Sequence, residues 1–154
     1  MNEAVVAAAL VVAALNLLPA AVGAWVWSHG DPRSTLASAF WVTLRVGQAA
    51  ALLFAIAIGV LAAAGHHPSE GLFYLYALLP LAVAFVAEQV RVLSAQTILD
   101  QRGLQGSADV GALPEGEQQQ LLLEVVRREL GVMTLSAFVV AGLALRAATT
   151  AHGF

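Results

Sequence analysis

Four apolar runs dominate this sequence, and each is long enough to cross a lipid bilayer. They extend roughly from Val5 to Trp27, Ala39 to Ala64, Leu72 to Leu93 and Leu130 to Thr149. A helix rises about 1.5 Å per residue and a bilayer core is about 30 Å thick, so about 20 apolar residues suffice. In hydrocarbon every backbone N–H and C=O must find a partner within the protein, which leaves helices and closed barrels as spanning structures. These runs lack the alternation of barrel strands. The sequence therefore predicts an all-α, membrane-embedded four-helix bundle. The connections SHGDPRST and GHHPSEG are short and rich in turn formers, so consecutive helices are expected to be antiparallel neighbours, running up and down.

The remaining composition agrees with a membrane setting. The chain is 60% hydrophobic and only 11% charged. A soluble domain is about half apolar and about a quarter charged, and a chain like this one lacks the polar groups to cover its surface in water. Cysteine is absent, which excludes disulfides, thiolate metal sites and Cys nucleophiles. The seven basic residues are all Arg, the net charge is −3, and no basic face for nucleic acid is present. Val22-Gly23-Ala24 offers a small-residue cleavage site. The start Met-Asn-Glu has no basic n-region, however, and the run is long for a signal h-region, so the first run is expected to be a retained span.

Arginine placement predicts orientation. With the N-terminus outside, Arg33, Arg45, Arg91, Arg102, Arg127 and Arg128 fall on or near the cytoplasmic side, and Arg146 near the outer side. The expected topology is therefore N-out and C-out in a bacterial inner (plasma) membrane. Trp25, Trp27 and Trp41 form an inner aromatic belt, and Phe73, Tyr74 and Tyr76 an outer one.

The segment AFVAEQVRVLSAQTILDQRGL begins in the third apolar run and ends in polar chain. Counting about 20 residues from Leu72 places Glu88 one turn inside the inner boundary and Arg91 at it. The helix is expected to continue into the cytoplasm and stop at Gly103, a C′ residue. Two readings of the charges stand side by side. In one, Arg45, Glu88, Arg91, Arg127, Arg128 and Glu129 are boundary charges, with Glu88 and Arg91 paired at i, i+3 and long Arg side chains snorkelling to the headgroups. In the other, Asn16, Arg45, Gln48, Glu88 and Arg91 converge into an inner-leaflet polar pocket for a phosphate or carboxylate. Trp41, Arg45, Gln48 and Leu52 share one helical face. Asn16 is followed by Pro19, which frees the carbonyl of Leu15. Pro19 and Pro80 are expected to kink their helices.

Gly47, Ala51, Ala55, Gly59 and Ala63 repeat every four residues on the second helix, a small-residue seam that admits close helix approach. Residues 101–129 read as a cytoplasmic loop followed by an amphipathic helical extension of the fourth span. There Pro114 is placed at the first helical position, Glu115 and Glu117 suit the helix N-terminus, and Glu124 and Arg128 form an i, i+4 pair. The extension is expected to pack on the protruding end of the third helix.

His66, His67, Glu70 and His152 gather on the outer side as a weak metal candidate, weighed against a solvated polar turn. No histidine lies in any span, so a bis-His haem has no ligands. No phosphate loop, HExxH, nucleophile elbow or catalytic acid pair is present, and no cofactor is predicted.

The segments GLFYLYALLP, AEQVRVLSAQTILDQRGL and RRELGVM, in that order, resemble small four-span integral membrane proteins of the actinobacterial type. The likeness covers most of the chain. It implies the same bundle fold and brings no activity, cofactor or ligand. The leading functional expectation is a non-enzymatic membrane protein, a small assembly or accessory subunit that packs with itself or a larger membrane complex. The alternative is a carrier or binder of a small amphipathic anion or lipid through Arg45, Gln48, Glu88 and Arg91.

Overall fold

The computed structural model describes residues 2–29, 31–104 and 106–153, with Ser107 by its backbone alone. Its described residues form helices and no strands: α1 (Asn2–His29), α2 (Thr35–Ala63), α3 (Leu72–Gln101), the short α4 (Ser107–Gly111) and α5 (Glu115–Thr150). Four of them are long and apolar enough to cross a membrane, as expected of a multi-pass membrane protein. The helices α1, α2, α3 and α5 have 28, 29, 30 and 36 residues, so each exceeds the roughly 20 needed to cross and carries polar turns beyond the apolar stretch.

Local chemistry sets the helix ends. The Ser34 hydroxyl accepts from the Ala37 N–H at 3.3 Å and caps α2. Gly103, at φ +70°, ends α3 in the left-handed conformation. Leu104 N–H then donates to Leu99 and Gly103 N–H to Asp100, which satisfies the last carbonyls as a C′ glycine should. Pro114 differs from expectation by one position. Its extended ψ of 145° leaves it outside the helix as the N-cap, and its carbonyl receives the Glu117 and Gln118 N–H groups. Glu115 and Glu117 occupy the first turn. From there α5 runs unbroken into the fourth span. The helices α1 and α3 continue through Pro19 and Pro80, both of which are buried.

The bundle is a ring in which α5 lies between α1 and α3, and α2 packs on α1 and touches α3 more sparsely. Its interior is built largely of small residues. Ala9, Ala13, Ala20, Ala51, Ala77, Ala137, Ala141, Ala144 and Ala147 are buried, whereas Leu10, Val11, Leu53, Val60, Phe85, Leu135 and Phe138 face outward. This inverts the soluble pattern and suits a bilayer, where lipid solvates Leu and small residues allow helices to approach. The core forms two clusters. One is built around Phe54, Ile58 and Phe73, the other around Phe40, Leu44, Leu130 and Met133. Between them, in chain order along α1 and α2, stand Asn16 and Gly47.

Candidate functional site

Two polar features stand among the spans, and they are separate. The first is Asn16, 1% exposed. Its Nδ2 donates to the Val12 carbonyl at 2.9 Å and to the Gly47 carbonyl of α2 at 3.1 Å. A Cβ added to Gly47 would stand 2.8 Å from Asn16 Oδ1 and 2.9 Å from the Leu15 carbonyl oxygen. Pro19 has no N–H to give that carbonyl, so Leu15 presents an acceptor where Gly47 of α2 packs against it. Asn16, Pro19 and Gly47 thus interlock α1 with α2: the proline leaves the acceptor, the glycine makes room, and the amide bridges.

The second is a charged cluster spanning α2, α3 and α5. Arg45 Nη1 donates to Glu88 Oε1 at 2.5 Å and to Gln48 Oε1 at 2.6 Å. Glu88 Oε2 faces Arg91 Nε at 3.1 Å, and Arg91 Nη1 lies 4.0 Å from Glu129 Oε2. The Arg91 guanidinium carbon stands 5.6 Å from the centre of the Trp41 ring, a cation–π contact. The side chains of Glu88, Arg91 and Glu129 are 26%, 28% and 23% exposed, while Arg45 is 52% exposed, so the acids and Arg91 are held inward and Arg45 reaches out. A shallow depression beside Arg45 is lined by Trp41, Val42, Val46 and Ala49.

The structure therefore brings together four of the five pocket residues expected from sequence, Arg45, Gln48, Glu88 and Arg91, and sets Asn16 elsewhere. Glu129 joins them. Its sequence signal was only its place at the boundary of the fourth span, which does not reveal that it faces α3. Two arginines and two glutamates balance the cluster, so it joins three helices without a spare charge.

The seam residues divide. Gly47, Ala51 and Ala55 are buried, whereas Ala63 is exposed and a Cβ on Gly59 would meet nothing within 4 Å. Beyond the cluster, Glu124 Oε2 takes Arg102 Nη2 at 2.6 Å and not Arg128. The reason is that α3 projects alongside the start of α5, and a bridge between helices replaces the pair within one. At the opposite end His67 Nδ1 is 2.9 Å from the Tyr74 hydroxyl, and the His152 carbonyl accepts the Ser69 N–H at 2.8 Å. Among the described residues no three His, Asp or Glu side chains gather as metal ligands would, and this holds for His66, His67, Glu70 and His152.

Compared with protein-family models, curated proteins and solved structures, the chain matches none.

Proposed function

We propose that the chain is a non-enzymatic, multi-pass protein of the bacterial inner membrane that serves as a small assembly or accessory subunit. The observation that carries this reading is the outer half of α2. Its small-residue seam is buried as far as Ala55 and then emerges, with Gly59 in open space between exposed Ile56, Val60 and Ala63. A glycine on an apolar outward face gives a second transmembrane helix close access to the backbone. The projecting ends of α3 and α5, joined by Arg102 and Glu124, supply a polar surface for a soluble partner. Arginine placement supports N-out and C-out, which puts that surface in the cytoplasm.

The alternative, an anion or lipid binder using Arg45, Gln48, Glu88 and Arg91, has weaker support because Glu88 and Glu129 already occupy the two guanidiniums. Substituting Gly59→Leu and measuring the particle mass in mild detergent tests the assembly reading. We expect the wild-type assembly to dissociate. A wild-type particle of one chain, or an assembly unchanged by the substitution, refutes the role of this face.

A further inference from the structure

A groove of about 570 Å³ runs between α1 and α5 on the outward surface of the bundle. Its α1 wall is Ala20, Ala24 and Trp27, and its α5 wall includes Gly131, Leu135 and Phe138. Both sets recur at helical spacing on one face, and the α5 wall from Arg128 to Phe138 is about 15 Å long. Small residues on both helices hollow it out.

Charge marks one end of this groove. Arg128 lines it there. Next to Arg128, Arg127 Nη2 donates at 3.1 Å to the carbonyl of Trp27, itself a groove residue. The acids of α3 and α5 that form ion pairs are engaged elsewhere: Glu124 by Arg102, Glu129 by Arg91, and Glu88 by Arg45 and Arg91. Among the described residues, neither Arg127 nor Arg128 has an acidic partner. The comparable groove between α3 and α5, about 460 Å³, is lined by Leu79, Val83, Val86, Val90, Val139 and other residues without charge. Thr134 also lines the α1–α5 groove, but its unpartnered Oγ1 is buried against Gly23 of α1 and does not face the groove.

We propose that the α1–α5 groove is a binding site for one anionic phospholipid, with its phosphate at Arg127 and Arg128, its glycerol region beside Trp27 and an acyl chain along Ala24, Gly131, Leu135 and Phe138. An apolar trough that ends at Arg128, with Arg127 held beside it on the Trp27 carbonyl and neither paired to an acid, matches the two halves of that molecule. Trp27 stands where an amphipathic ring suits the interface. The site rests on the reading of the chain as a membrane protein, and it is distinct from the balanced Arg45–Glu88 cluster.

The test is native mass spectrometry of the full chain in a non-ionic detergent. The added probes are phosphatidylglycerol, phosphatidylcholine with the same acyl chains, and inorganic phosphate. We expect one bound phosphatidylglycerol, preferred over phosphatidylcholine by about fivefold or more, since one interfacial Arg contributes about that factor. Arg128→Gln should remove most of this preference, and Ala24→Phe should block retention of either lipid. Arg128 is exposed, so its variant carries the test even if Ala24→Phe does not fold. Arg33→Gln removes an exposed arginine outside the groove and should change little. Equal retention of both lipids, an Arg33→Gln loss as large as that of Arg128→Gln, phosphate bound without lipid, or a second chain in the groove would each overturn the proposal. A chain that stays soluble without detergent would instead overturn the membrane reading beneath it.

Discussion

Gly47→Ala should destabilise the bundle far more than its one added methyl group suggests. The new Cβ would lie 2.9 Å from the Leu15 carbonyl oxygen and 2.8 Å from Asn16 Oδ1, whereas ordinary contact starts at 3.4 Å. Leu15 O is backbone and cannot swing aside, so α2 must retreat by about half an ångström. That retreat stretches the 3.1 Å bond from Asn16 Nδ2 to the Gly47 carbonyl to about 3.6 Å, where it no longer counts as a hydrogen bond. Overpacking costs about 1–3 kcal/mol, and an interhelical hydrogen bond in a membrane protein about 0.6–1.7 kcal/mol of that. The assay is unfolding in mixed micelles with a rising fraction of denaturing detergent, followed by helical circular dichroism. Repeating Gly47→Ala in an Asn16→Ala background isolates the coupling, because only the Leu15 contact then remains. We expect a coupling of at least about 0.5 kcal/mol. A neutral Gly47→Ala, or the same cost in both backgrounds, would refute the interlock.

Two further outcomes follow from the cluster and the helix ends. Glu88→Gln should cost about 1–3 kcal/mol, because it removes the charge shared by Arg45 and the largely buried Arg91 and turns one of the two accepting oxygens into an NH2 donor, while Arg45→Gln should cost under about 1 kcal/mol since Glu88 keeps Arg91; equal losses in the same unfolding assay would contradict a shared carboxylate. The chain has no native cysteine, so His66→Cys and Gln119→Cys can each be labelled alone in intact cells. N-out topology predicts that the first reacts with an impermeant maleimide directly and the second only after permeabilisation; the reverse pattern would overturn the orientation.

The Arg45–Glu88 pair shows how far the candidate site was legible. Counting residues inward from Leu72 located Glu88 and Arg91 one turn apart near a boundary, and the i, i+3 spacing joined them in advance of any structure. That Arg45 of another helix donates to the same carboxylate follows only from how α2 sits against α3. Asn16 shows the limit of such counting. It was grouped with the charges because it is polar and lies in a span, yet it turns to Gly47, on the buried side of α2. Glu124 likewise was paired with Arg128 by its i, i+4 spacing, and its bond to Arg102 instead depends on α3 extending beside α5.

By itself the sequence determined the number of spans, their helical character and several ends. These depend on local physics: apolar length against bilayer thickness, backbone hydrogen bonds closed within a segment, and Gly103 adopting a left-handed turn. The tertiary structure alone decided the ring order, with α5 between α1 and α3, and with it the balanced cluster, the interlock and the groove ending at arginines without an acidic partner. In these helices many leucines and valines face outward while many alanines are buried, so hydropathy marks no inner side. Neighbours are then chosen by close packing and a few directed polar contacts, which depend on three-dimensional shape and are not written in the periodicity of the chain.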